Sequence, residues 1–275
     1  MCKSAGVGVL LCRRQFNMSW FSFPLWWLLV KATADPAPPE RLLPPVNELG
    51  GMPMDYLIGN GNPQKGTKDR ITVVGYDINL LPSNGIGVGY CNLFEEAGRT
   101  GRFGPYLSDS DTAREYGEGQ IDPRGAGWMR NLSEQFRRRQ KSGFRYVELD
   151  NPDAYHTADV NMAVSTASEY GLMVLAKNPH ICEPDPASYL EHHNVYGAIV
   201  ERDAGDPIEM DILRRRANKP YLPVWFIFFG SKGKAAAKKT AETIKHHGYR
   251  NMGVTFSDKG EYGSSQEILA PVPYR

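Results

Sequence analysis

The chain has 275 residues, with 32 Lys and Arg against 31 Asp and Glu, a formal balance of +1. That length holds one large core, and near-neutral charge with no basic domain or long cationic face excludes a general polyanion or nucleic-acid binder. The four cysteines show no C-x-x-C spacing and give no case for a metal ribbon.

Residues 1–34 combine Arg13-Arg14, the short apolar stretch "SWFSFPLWWLLV" (19–30) and the small residues Ala32-Thr33-Ala34. A basic region, an apolar core and a small-x-small site are the parts of a secretory signal peptide or a membrane anchor. The apolar stretch is shorter than the roughly 20 residues that span a bilayer as a helix. Cleavage after Ala34 removes four basic residues and no acid, which takes the balance to −3. The expectation is a secreted or periplasmic monomer with no stable membrane association after processing. Residues 35–54 contain Pro36, Pro38, Pro39, Pro44, Pro45 and Pro53 and read as an extended linker. In an exported protein Cys91 and Cys182 either pair or remain as two buried thiols.

From residue 55 to residue 275 short apolar runs alternate with helical patterns. The runs are "YLIG" (56–59), "ITVVGYDI" (71–78), "IGVGYC" (86–91), "FRYVELD" (144–150), "LMVLAK" (172–177), "YGAIVE" (196–201), "PVWFIFF" (223–229) and "MGVTF" (252–256). Several are apolar at nearly every position, as strands covered on both faces must be. Between the later runs, Trp128, Leu132 and Phe136 form one helical stripe that Gly143 ends. Asp185-Pro186 and Asp206-Pro207 each offer an N-cap acid followed by proline at the first helical position. The lysine-rich stretch 233–247 stops at Gly248, a natural helix C-cap. Arg137-Arg138-Arg139 reads as a solvated outer helix face. Strand then helix, repeated over eight strands, predicts a parallel sheet closed into an α/β (β/α)8 TIM barrel. The first connections, such as "NLLPSNG" (79–85), are too short for crossover helices, so the N-terminal third is expected to be irregular.

Barrel active sites lie at the C-terminal strand ends, and there the acids collect. The fourth run ends in Glu148-Leu149-Asp150-Asn151, the fifth in Lys177-Asn178, the sixth in Glu201-Arg202-Asp203. Asp77 and Tyr90 close the second and third. Strand alternation puts Glu148 and Asp150 on one face; if that face is the interior, Asp150 is at the mouth and Glu148 one layer below. Two carboxylates across a cleft are the equipment of glycoside hydrolysis, one to protonate the leaving oxygen and one to attack or to activate water.

The stretches "GFRYVELDNPDAY" (143–155) and "GLMVLAKN" (171–178), with "AIVE" (198–201) and "VGYCNLFEEAGR" (88–99), resemble the barrels of glycoside hydrolase family 114, the endo-α-1,4-polygalactosaminidases. Pro152 stands where that family carries an aliphatic residue. The resemblance covers roughly residues 55–256. It implies Asp150 and Glu201 as the catalytic pair, with Asn151, Asp153, Tyr155, Lys177 and Asn178 lining the cleft. Glu148, Asp77, Tyr90 and Asp203 join the candidate substrate-binding set. The acids make the mouth electronegative, which attracts a cationic, partly deacetylated galactosamine polymer; Tyr90 and Tyr155 are candidates to stack on sugar rings. The alternatives are a barrel that binds polysaccharide without cutting it, or a glycosidase for another sugar.

Other motifs fall away. "GNGNPQKGTK" (59–68) has the wrong residue order for a phosphate loop, no H-E-x-x-H is present, and no Gly-x-Ser-x-Gly elbow occurs. Asp109 and Asp111 lack the glycine of a calcium loop. The expectation is therefore chemistry with neither cofactor nor metal. The paired histidines His192-His193 and His246-His247 lie near expected helix C-termini, where they meet the dipole.

Overall fold

A computed structural model describes residues 49–50, 52–57, 69–75, 78–97, 101–104, 118–150, 156–201, 206–257 and 266–271. The expected leader and most of the expected linker lie outside them.

Eight parallel strands form a nearly closed barrel. In chain order they are β1 (Met54–Leu57), β2 (Ile71–Val74), β3 (Ile86–Asn92), β6 (Tyr146–Asp150), β7 (Met173–Lys177), β8 (Val195–Glu201), β9 (Val224–Phe229) and β10 (Met252–Ser257). All eight overlap the apolar runs of the sequence, β1 beginning two residues ahead of its run. Side chains bridge the seam beside β1: from β10 the Thr255 hydroxyl donates to the Met54 carbonyl at 2.9 Å, and from β9 the Trp225 indole donates to the Met52 carbonyl at 2.8 Å. A two-stranded hairpin, β4 (Glu95–Ala97) with β5 (Glu118–Gln120), follows β3, and β11 (Gln266–Pro271) pairs antiparallel with β10. Leu49 is buried among the barrel-interior residues, ahead of β1.

Helices α1 (Ala126–Lys141), α2 (Thr157–Glu169), α3 (Pro186–Glu191), α4 (Pro207–Arg216) and α5 (Gly230–His247) separate the later strands. Their ends follow the local chemistry. Asp185 and Asp206 accept from the amides of Ala187 and Ile208, so both capping acids act as expected. Gly248 closes α5 in the left-handed region at φ 64°. Among the described residues none of 78–85 is helical, in keeping with an irregular N-terminal third. No helix among them is long and apolar enough to cross a membrane.

Strand parity divides the core in two. One set of side chains, including Tyr56, Ile71, Val88, Tyr146, Leu175, Ile199 and Trp225, fills the barrel. The alternate set, including Val147, Leu149, Val174, Val200 and Phe226, packs outward against Trp128, Leu132 and Phe136 of α1 and against the other helices. Cys91 and Cys182 are both buried and form no disulfide with each other, which resolves the open choice in favour of two thiols.

Arg139 departs from its expected place. It is buried, and its guanidinium donates to the carbonyls of Ile78, Gly75 and Tyr90. Position 139 continues the inward stripe of α1, so the third arginine of the run faces the barrel. Gly89 makes the room: a Cβ there would stand 2.5 Å from the Arg139 side chain.

Candidate functional site

Parity fixes which strand-end residues meet. Glu148 and Asp150 are in phase with Tyr146, Lys177 with Leu175, and Glu201 with Ile199, so all four side chains point into the barrel at its C-terminal end. Parallel register sets Tyr90 beside Glu148, Asn92 beside Asp150, and Lys177 beside Ile199.

Lys177 is the hub. Its ammonium lies 3.0 Å from Glu148, 3.3 Å from Asp150 and 3.1 Å from Glu201, and it donates to the Tyr56 hydroxyl at 2.6 Å. The Tyr56 hydroxyl donates in turn to Glu148 Oε1 at 2.6 Å. The Tyr90 hydroxyl donates to Asp150 Oδ2 at 2.9 Å, so donors meet both oxygens of that carboxylate.

Exposure grades the cluster. The Lys177 and Glu148 side chains are 1% and 0% exposed, whereas those of Asp150 and Glu201 keep 15% and 13%. Asp150 and Glu201 therefore form the accessible layer, and Glu148 lies one layer below, as alternation required. Lys177 was expected to line the cleft and Glu148 to join the substrate-binding set from one layer below; both side chains are buried beneath the rim carboxylates. Glu148 Oε2 is buried with no hydrogen-bond partner.

Burial and charge act on these groups in opposite senses. Removal from water pushes Glu148 up to about 7, an effect that Asp150 adds to and Lys177 opposes. For Lys177 burial alone would lower the proton affinity, but Asp150, Glu148 and Glu201 together hold the ammonium well above the ordinary lysine value. Burial, then the neighbouring carboxylates, pushes the Tyr56 phenol well up, so it stays a neutral donor.

Asn178 supports the rim from outside. In the left-handed region at φ 41°, it turns its side-chain oxygen to accept the Glu201 amide at 2.8 Å. Its contact thus fixes the end of β8. On the other flank, Gln135 clamps the Asn92 backbone at both N–H and C=O, and the Leu93 amide donates to the Asp150 carbonyl at 3.2 Å. Helix α1 thereby anchors the strand ends next to Asp150.

Of the candidate residues, Glu148, Asp150, Lys177, Asn178, Glu201 and Tyr90 converge on this one cluster. Tyr90 is 9% exposed and its hydroxyl is engaged by Asp150, so it orients that acid. Asp77, Asn151, Asp153, Tyr155 and Asp203 lie outside the described residues. Tyr56 and Arg139 were not foreseen. Tyr56 shares parity with Met54, a signal that places it inside the barrel but not against Glu148.

No protein-family model matches the chain, and no curated protein matches it. Solved structures do. Ega3 of Aspergillus fumigatus, determined in complex with galactosamine, aligns with a TM-score of 0.56 at 13% identity, over 85% of this chain and all of that one. The glycoside hydrolase domain of PelA from Pseudomonas aeruginosa aligns with a TM-score of 0.54 at 11% identity, over 77% of this chain and 96% of that one. A single-residue variant of that PelA domain gives 0.55 at 12% identity. The chain shares the barrel fold of these glycoside hydrolase structures.

Proposed function

We propose that the protein is a glycoside hydrolase that cleaves an α-linked, galactosamine-containing polysaccharide with Asp150 and Glu201 as its two carboxylates. The observation that carries the reading is that these two acids, both partly exposed, contact the same ammonium of Lys177 at the mouth of the barrel. Asp150, held by donors at both oxygens, has the fixed orientation an attacking group needs; Glu201 is assigned the transfer of the proton to the leaving oxygen. The amino-sugar specificity rests on the family resemblance of the central motifs, on the acid-rich rim, and on the galactosamine bound by the structurally similar Ega3. Export of the chain, resting on residues 1–34, fits a polymeric substrate outside the cell.

The shared ammonium also bears on stereochemistry. An oxygen of each acid lies within 3.3 Å of one nitrogen, so the two oxygens are at most about twice that far apart. This falls below most of the roughly 6.5–9.5 Å range of inverting enzymes and admits the roughly 5–5.5 Å of retaining ones. Retention is the expected outcome, and NMR of the first-formed anomer checks it.

A second reading, a barrel that binds the polymer without cutting it, draws on the same Lys177 contacts, since ion pairs that never open would keep both acids from a sugar. Incubation of the purified protein with de-N-acetylated galactosaminogalactan separates the two. Released oligosaccharides, lost in Asp150→Asn, support the hydrolase; binding without products supports the second reading; neither outcome ends both.

A further inference from the structure

Four oxygens surround Lys177 Nζ: those of Tyr56, Glu148, Glu201 and Asp150. An ammonium has only three N–H donors, so its neighbours compete. Among the described residues, three carboxylates share the ammonium of Lys177, and the innermost of them, Glu148, is fully buried. Such a cluster gains a proton before it holds three bare anions. The groups facing Glu148 are Tyr56 from β1, Tyr90 from β3, Asp150 on its own strand, Lys177 from β7 and, across that lysine, Glu201 from β8; Arg139 of α1 is engaged with the backbone of Tyr90. Lys177 is thus the cation through which Glu148 and Glu201 sense each other.

We propose that Glu148 and Glu201 hold one proton between them, and that Glu148 is a positioning residue whose negative charge, delivered through the shared Lys177, keeps Glu201 able to donate. This rests on the hydrolase reading above. With Glu201 ionised, the proton resides on Glu148, whose Oε2 is buried and unpartnered and tolerates a neutral carboxyl best. As a sugar covers the rim, Glu201 loses water and competes for the proton. Glu148 then ionises and takes up Lys177 and Tyr56 as its partners. The cluster carries the same number of protons before and after, so no external acid is needed. The burial of Glu148 raises its proton affinity into the neutral range, so it can hold a proton beside the shared Lys177.

The test is Glu148→Gln, nearly isosteric and still able to accept from Tyr56 and Lys177 through its carbonyl oxygen. Without the buried negative charge, Glu201 loses its proton earlier. The alkaline limb of the kcat/KM–pH profile should move down by about one unit, a roughly tenfold loss at pH 8 with little change at pH 5.5. Glu148→Asp, which keeps the charge, should move the limb back toward wild type. A merely structural role would scale the profile without shifting it, and a Glu148→Gln profile that superimposes on wild type overturns the inference. A readout without turnover comes from 13C-carboxyl NMR titration of wild type and Glu148→Gln, with the Glu201 signal assigned through Glu201→Gln. A lowered Glu201 midpoint in Glu148→Gln supports the coupling even in a barrel that does not hydrolyse; an unchanged midpoint removes it. Absence of hydrolysis by wild type with the midpoint shift present would sink the hydrolase reading alone.

Discussion

Two lysines at opposite ends of the barrel have been treated in contrasting ways. Lys177, at the C-terminal end of β7, is sealed among three carboxylates that hold its proton far more tightly than water would. Lys219, at the N-terminal side of β8, is half-buried and donates to the carbonyls of His192 and Val195 at 2.7 and 2.9 Å. Burial pulls it down to about 8, with only Glu191 acting against the shift. Carbonyl dipoles satisfy hydrogen bonds without restoring the lost hydration of a full charge; carboxylates do both. The base of the barrel thus uses a lysine as a peg for backbone. The mouth, among the described residues, gathers three carboxylates around one ammonium, which is the condition for useful chemistry and not the cheapest way to fold.

The contrast breaks most visibly at Asp150. Asp150→Asn keeps the size and hydrogen-bonding shape of the side chain but removes the attacking anion. Turnover on a galactosamine polymer should fall roughly a thousandfold or more, about 4 kcal/mol on the barrier. Thermal stability should change little, because the group is at the rim. Retained turnover would remove Asp150 from the mechanism. Lys177→Met comes next and acts on folding. It strands the carboxylates without a counter-ion, and breaking a buried ion pair costs roughly 3–5 kcal/mol. Urea unfolding at pH 7.5 should show that loss, and the deficit should shrink toward pH 5 as the cluster takes up protons. A deficit independent of pH would mean that packing, not charge, is what Lys177 supplies.

The rim was legible in the sequence because acids interrupt runs that are otherwise apolar at every position, and strand parity then decides where they point. Alternation put Glu148 and Asp150 on one face, and only the structure, with Tyr146 and Ile199 inside the barrel, shows that this face and Glu201 point inward. The depth of Lys177 was not legible. A lysine at a strand end looks the same whether it snorkels to water or sits under two neighbouring strands' acids, and only the closure of β6 and β8 around β7 distinguishes these. Arg139 was hidden by its own run: two half-buried arginines precede it, yet its position follows Trp128, Leu132 and Phe136 on the inward stripe. Tyr56 meets Glu148 across 92 residues of sequence, a contact that barrel closure makes and no local pattern announces. The hairpin of β4 and β5 escaped because strands of three residues carry too little alternation to be read.

Glu148→Gln sharpens the comparison from the stability side. The folded carboxyl titrates near 7, above its ordinary value of 4.5. Between those limits the folded state holds a proton that the unfolded chain has released, so wild-type stability falls as pH rises through that window. The full penalty, of order 3 kcal/mol at most, is present above about pH 7. The variant lacks it. Glu148→Gln should therefore gain stability over wild type at pH 8 and match it near pH 4.5, as denaturant titrations at the two pH values would measure. A variant less stable at pH 8 would mean that Glu148 is a net stabiliser of its Lys177 pair.

Lys219→Met gives the smallest expected effect and the opposite pH slope. The substitution removes a half-buried ammonium, which favours the fold, and leaves the His192 and Val195 carbonyls without their donor, which opposes it. The net change near pH 7 should be a loss of about 1 kcal/mol. Lys219 titrates near 8 when folded and near its ordinary 10.5 when unfolded. Below about pH 8 the cost of holding the charge is fully present; as pH climbs toward 10.5 the unfolded chain binds more protons than the folded one, and wild type gains stability. The gap between wild type and Lys219→Met should consequently widen from pH 7 to pH 10, whereas Glu148→Gln draws its own difference between pH 4.5 and 7. Parallel unfolding curves for wild type and Lys219→Met across that alkaline range would show that the two carbonyls compensate the charge fully. The base of the barrel would then be no less balanced electrostatically than a surface ion pair.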